Sequence, residues 1–147
     1  MRKMFSGQFS AKTDAKGRVF LPSVLRKQLG EVVESLVLRR DVHQPCLVLF
    51  PWQAWEQEVA LLRTRLNRWD ERDAMVFRCY VGESEQISLD TAGRLLLSKH
   101  WLQVAEISKE VVFIGNDDRI EIWASEKAKF FDDRNYSKQV QEILGNQ

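Results

Sequence analysis

At 147 residues, with 44% apolar and 29% charged side chains, the chain has the size of one ordinary domain or two very small ones, and a globular balance. That balance excludes disordered, collagen-like and disulfide-scaffold classes, and no apolar run approaches the roughly 20 residues that cross a bilayer. The net charge of +1 is an average, because residues 1–30 carry +6, residues 31–109 carry −2 and residues 110–147 carry −3. A cationic face at one end of a near-neutral protein is expected.

In chain order, Met1-Arg2-Lys3-Met4-Phe5-Ser6 is basic but lacks the apolar core of a signal peptide, so a cytoplasmic protein is expected. Thr13-Asp14-Ala15-Lys16-Gly17-Arg18 then forms an Asp-x-x-Gly-Arg element. Three apolar residues and a helix-start residue, Pro22, follow it. A short helix is predicted over 23–29. Two β-rich runs come next, Leu36-Val37-Leu38 and Leu47-Val48-Leu49-Phe50, parted by a polar turn over 41–46. A helix opens at Pro51-Trp52. Trp52, Trp55, Val59, Leu62, Leu66 and Trp69 step by three and four, which sets all six on one helical stripe. That stripe reads as core or subunit contact. A break is expected near 67–70, with a shorter helix over 70–79.

The same order then returns. Asp90-Thr91-Ala92-Gly93-Arg94 lies 76 positions after the first Asp-x-x-Gly-Arg element and is followed by Leu95-Leu96-Leu97 and Ser98, again a helix-start residue. A short helix over 99–105 leads to the runs Val111-Val112-Phe113-Ile114 and Ile120-Glu121-Ile122-Trp123, with Gly115-Asn116-Asp117-Asp118 between them. A helix is predicted to open at Ser125-Glu126, with Phe131, Val140, Ile143 and Leu144 as apolar anchors of the tail. A half-repeat of this length buries little surface alone, so two ββ-rich halves are expected to interlock into one closed barrel with pseudo-twofold symmetry. The fold class is α+β. Cys46 and Cys79 read as reduced, partly buried thiols.

The repeated element has a definite chemistry. Gly17 and Gly93 sit where one strand must turn into another and permit positive φ. Asp14 and Asp90 can order each turn by accepting from its own amides and can pair with the arginine four positions on. Arg18 and Arg94 would then present several donors in a fixed plane, suited to phosphate oxygens or a guanine edge. A plain hairpin with a surface ion pair is the other reading of one such turn; its duplication favours recognition.

Met4-Phe5-Ser6-Gly7, the two Asp-x-x-Gly-Arg elements, Val111-Val112-Phe113-Ile114-Gly115 and Glu121-Ile122-Trp123 together resemble the bacterial MraZ family, from Met4 to about Phe131. The resemblance implies two AbrB-type swapped-hairpin modules in a double-split β-barrel, with ββαββ repeats and flanking helices. The expected boundaries are 4–54 for the first module, 55–81 for a helical linker, 82–126 for the second module and 127–147 for a C-terminal helix and tail. It further implies a ring-shaped homo-oligomer on direct repeats of promoter DNA, usually repressing the division and cell-wall gene cluster that it heads, hence nucleoid association. DNA contact falls on Arg18 and Arg94, with Asp14 and Asp90 as orienters and Lys12 and Lys16 on phosphates. The second turn departs from the pattern, with Thr91-Ala92 in place of a lysine and Ser98 in place of proline.

An enzyme is the rival from another class. The chain has no His-x-x-x-His, no Cys-x-x-Cys, no phosphate-cradling glycine loop and no nucleophile elbow. His43 and His100 read as ordinary polar residues, so no catalytic residue, metal, cofactor, small-molecule substrate or membrane partner is expected. A ring-forming interaction module without nucleic acid, built on the tryptophan stripe, is the remaining alternative.

Overall fold

Near-continuous burial marks the central strands of the computed structural model, which describes residues 4–30, 35–132 and 134–145. The elements in chain order are β1 (Gln8–Lys12), β2 (Arg18–Phe20), α1 (Ser23–Leu29), β3 (Leu36–Arg40), β4 (Leu47–Pro51), α2 (Trp52–Arg65) and α3 (Glu71–Gly82). There follow β5 (Glu85–Ile87), β6 (Arg94–Leu96), α4 (Lys99–Val104), β7 (Glu110–Asn116), β8 (Arg119–Ala124), two 3-10 turns (Ser125–Lys127 and Phe130–Asp132) and α5 (Arg134–Leu144). Both predicted short helices and all four predicted β runs are present, and β1, β2, β5 and β6, which flank the two glycine turns, complete the eight strands.

The strands form a six-stranded antiparallel sheet in the order β1-β7-β8-β4-β3-β5 and a two-stranded sheet of β2 and β6. That order reads the same when each strand is exchanged for its counterpart in the other repeat. The repeats therefore interlock: β1 of the first pairs with β7 of the second, and β5 of the second with β3 of the first. The small sheet is itself an exchange between the repeats, in which Arg18 faces Leu96, Val19 faces Leu95 and Phe20 faces Arg94. Leu21 N donates to Gly93 O (3.0 Å) and Leu97 N to Gly17 O (2.9 Å), extending this ladder by one symmetric pair.

Leu36, Leu38, Leu47, Leu49, Val111, Phe113, Ile120 and Ile122 point into one central core, which also takes Leu21, Leu25, Leu95, Leu97 and Trp101. The alternate residues are buried too, because both faces of the large sheet are covered. Val37, Val48 and Phe50 meet Ala54, Trp55 and Val59 of α2, against Phe77, Tyr80 and Val81 of α3. Trp55 stacks on Tyr80 at 6.1 Å, and the guanidinium of the buried Arg39 lies over the same tyrosine ring at 3.7 Å. Arg119 ties α2 to the second repeat by donating to Glu58 (2.6 Å) and Asp118 (2.8 Å).

Three expectations need correction. The helical stripe stops short, because α2 ends at Arg65 and Leu66 is already extended. Polar side chains impose the break: Asp73 accepts from Asn67 N (2.9 Å), Asn67 from Trp69 N (3.0 Å), and Asp70 caps α3 by accepting from Asp73 N (2.9 Å). Trp69 is consequently 97% exposed rather than on the stripe. The tail opens at Ser125-Glu126 with a short 3-10 helix and not a continuous helix; a second 3-10 helix precedes α5, and Phe131, Val140, Ile143 and Leu144 are exposed within the single chain. The cysteines differ from each other: Cys46 is fully buried and its thiol is pushed up by that burial, whereas Cys79 is exposed.

Candidate nucleic-acid interface

Each Asp-x-x-Gly-Arg element folds into a tight turn held by its own aspartate. In the first, Asp14 N donates to Arg18 O (2.8 Å) and Gly17 N to Asp14 O (3.0 Å). Asp14 Oδ1 also accepts from Lys16 N (3.0 Å) and Arg18 N (2.9 Å), while Oδ2 accepts from Arg18 Nε (2.7 Å). The second turn repeats this bond for bond: Asp90 Oδ1 accepts from Ala92 N (3.0 Å) and Arg94 N (2.8 Å), and Oδ2 from Arg94 Nε (2.8 Å). Gly17 and Gly93 adopt φ of +87° and +86°, as the strand-to-strand turn requires.

One carboxylate therefore satisfies two turn amides and fixes one guanidinium through Nε. Among the described residues, the Nη groups of Arg18 and Arg94 have no other hydrogen-bond partner, so they remain free donors in a held plane. The arginine backbone amides, helped by the guanidinium contacts, hold the Asp14 and Asp90 carboxyls below their ordinary value of 3.8. A lowered folded value means that the order each aspartate gives its turn is complete above pH 3.8 and is lost as pH falls through the folded value. In a carboxyl-carbon NMR titration both aspartates should titrate below 3.8; a midpoint at or above that value would contradict the geometry.

The pairing of β2 with β6 brings the two arginines onto one surface. Directly opposed residues share a face of a sheet, as do residues two apart. Val19 and Leu95 point into the core, and Arg18, Phe20, Arg94 and Leu96 point outward together. Phe20 and Leu96 are 55% and 57% exposed, and the Arg94 guanidinium lies 5.7 Å from the Phe20 ring centre. Lys16 stands exposed within the first turn. Lys12 sits further off, at the end of β1, where its ammonium lies 4.0 Å from Glu110 of β7. A cleft of about 650 Å³ opens beside the first turn.

Phe20, Leu96 and the half-buried Arg26, which stands over Gly93, are parts of this surface that reading the chain in order misses. The alternation Arg18-Val19-Phe20 and Arg94-Leu95-Leu96 carries the signal for the outward pair once the strands are known to face each other. The histidines lie elsewhere, with the His100 ring edge-on to Trp101 at 4.8 Å. Among the described residues, the only group with metal-ligand spacing is Asp41, Cys46 and Glu121, away from the turns. Its carboxylates already accept hydrogen bonds, Asp41 Oδ2 from the amides of His43 and Gln44 and Glu121 from the side chains of Trp123 and Asn116.

Residues 4–78 and 81–144 match the profile of the family described as "MraZ protein, putative antitoxin-like". The chain belongs to the MraZ family. A relative from Phocaeicola vulgatus named Transcriptional regulator MraZ is 49% identical over 144 residues, spanning 96% of this chain and 94% of its own. A relative of the same name from Bacteroides fragilis is 43% identical over 143 residues (95% and 90%), and one from Bacteroides thetaiotaomicron 40% over 146 residues (97% and 94%). That name describes a non-enzymatic role. No helix among the described residues is long and apolar enough to cross a membrane.

Proposed function

We propose that the chain is a transcription regulator that binds promoter DNA through the outward face of the β2–β6 ribbon. The observation that carries this reading is the pair of aspartate-held arginines on that one face. A two-stranded ribbon fits the major groove, where arginine donors match the O6 and N7 acceptors of guanine. Diagonal placement across an antiparallel pair separates the Arg18 and Arg94 α-carbons by about 8 Å. That span is close to two base-pair steps of roughly 3.4 Å. Arg18 and Arg94 read or clamp the duplex, Asp14 and Asp90 orient them, and Lys16 and Lys12 meet phosphates.

The interlocked strand order supports a double-split barrel of two AbrB-like modules, 4–54 and 82–126, joined by the helical linker 55–81 and followed by the tail 127–147. Self-assembly into a ring is supported by the apolar surface that the single chain leaves open. Trp69 is bare, and Tyr136, Val140, Ile143 and Leu144 recur along α5 at helical spacing while remaining exposed. The names of the relatives support regulation of transcription, and the family resemblance extends this to repression of the protein's own division and cell-wall gene cluster from the nucleoid.

A ring sets several ribbons against regularly spaced direct repeats, which raises overall affinity by about 10²–10⁴ through effective concentration. Fluorescence anisotropy with DNA from immediately upstream of the coding region should show that gain on going from one repeat to several. The slope of log K against log salt should be about −0.9 per neutralised phosphate. Equal binding to one repeat and to several, or binding indifferent to salt, would argue against the reading.

A further inference from the structure

We infer that the cleft beside the first turn is a groove for one stretch of DNA phosphates, with lysines supplied by both repeats. The inference rests on the DNA-binding reading and adds to it the residues that grip the backbone. Lys16 comes from the turn; Lys99, at the start of α4, and Lys109, just before β7, come from the second repeat. All three line the same cleft with Ser108, over a floor of Leu97 and Leu102. The wall carrying Lys109 is fastened to the turn, because Thr13 N and Thr13 Oγ1 both donate to Lys109 O (2.8 and 3.1 Å).

The cleft is cationic in effect. Lys16, Lys99 and Lys109 are exposed, and none of them is ion-paired among the described residues. The one carboxylate in the cleft, Asp14, is already taken by two amides and by Arg18. Compact ammonium groups on flexible stems suit phosphate oxygens, which do not demand a fixed fork of donors. Lysines on one side and the Arg18 guanidinium on the other place a duplex so that its backbone lies in the cleft while its bases face the ribbon.

Among the described residues, the pseudo-twofold counterpart lacks this equipment. Ala92 stands where Lys16 does, and Ser23 where Lys99 does. Arg26 is the cation beside the second turn, and it is half-buried against Gly93. The two turns are therefore alike in backbone and unlike in charge. The first supplies most of the phosphate affinity, and the second contributes through Arg94.

The test is the double variant Lys99→Gln/Lys109→Gln, titrated against promoter DNA and scrambled DNA across a salt series. Its salt slope should shrink by roughly one to two units per engaged subunit, and affinity near physiological salt should fall about tenfold or more. The ratio of specific to scrambled binding should hold, since phosphate contacts carry no sequence information. The variant Arg63→Gln/Arg65→Gln removes the same charge from the exposed end of α2 and should leave the slope near that of the native chain. An unchanged slope in the cleft variant, or an equal loss in the α2 variant, overturns the inference. Arg18→Ala in the same series separates the two levels: loss of specific binding there beside an unchanged cleft variant sinks the groove alone. Native-like binding by Arg18→Ala sinks the DNA-binding reading itself.

Discussion

Arg18→Ala is expected to abolish specific recognition of promoter DNA, with a loss of at least about a hundredfold, while the fold and the oligomer survive. A well-placed arginine on a guanine edge is worth about 1–3 kcal/mol of discrimination. An assembly that engages several equivalent arginines at once multiplies that loss. The fold should tolerate the change, because Arg18 lies on the outward face and the turn keeps its amide bonds to Asp14. Arg18→Lys is the sharper variant. It retains the charge but forfeits the Nε bond to Asp14 and the planar fork, so it should bind scrambled DNA nearly normally and still lose specificity. Gel shifts with specific and scrambled DNA, beside size-exclusion chromatography, decide the matter. Arg94→Ala should cost a similar amount or less, because Ala92 gives its turn no lysine to share the duplex.

The turn itself was legible in the residues. Aspartate, glycine and arginine at that spacing determine a local hydrogen-bond pattern, and Asp14 and Asp90 make the same three side-chain bonds that their types and positions suggest. The core strands were legible for a similar reason, since short β-branched and leucine runs between polar turns have few other ways to bury both faces. What local pattern does not encode is which strands meet. Lys109 reaches the first turn only because β1 pairs with β7, and Phe20 lies beside Arg94 only because β2 pairs with β6. The overreach along 52–69 has the opposite origin. A run of apolar residues at helical spacing continued past Arg65, but Asn67, Asp70 and Asp73 offered the backbone better partners than another helical turn. The apolar positions of α5 follow an amphipathic pattern but stay exposed among the described residues, so the pattern marks a surface and not a core.

The two glycines make a stability prediction that separates equivalence in sequence from equivalence in packing. Both hold nearly the same positive φ, so an alanine at either pays about 1–2 kcal/mol for the left-handed backbone. At Gly17 the added Cβ would also stand 2.3 Å from Leu97 O. That carbonyl belongs to a buried residue whose own amide donates to Gly17 O at 2.9 Å, so the backbone has no room to yield without opening the inter-repeat ladder. Loss of that hydrogen bond adds about 1 kcal/mol, for a total near 3 kcal/mol. A drop in melting temperature of about 10 °C follows for a chain of this size. At Gly93 the nearest atom, also at 2.3 Å, is Arg26 Nη1, the far end of a flexible side chain whose Nε is buried without a partner. Arg26 can swing outward and lose little, so Gly93→Ala should cost only the backbone term, a drop of about 5 °C. Thermal melts of the two variants test this directly, and equal or inverted losses would mean that the Leu97 carbonyl is not the rigid wall of the first turn. The same rigidity bears on recognition, because a turn pinned to the opposite repeat holds Arg18 in register with Arg94. Gly17→Ala should therefore weaken specific DNA binding more than Gly93→Ala does, even at temperatures where both variants are folded.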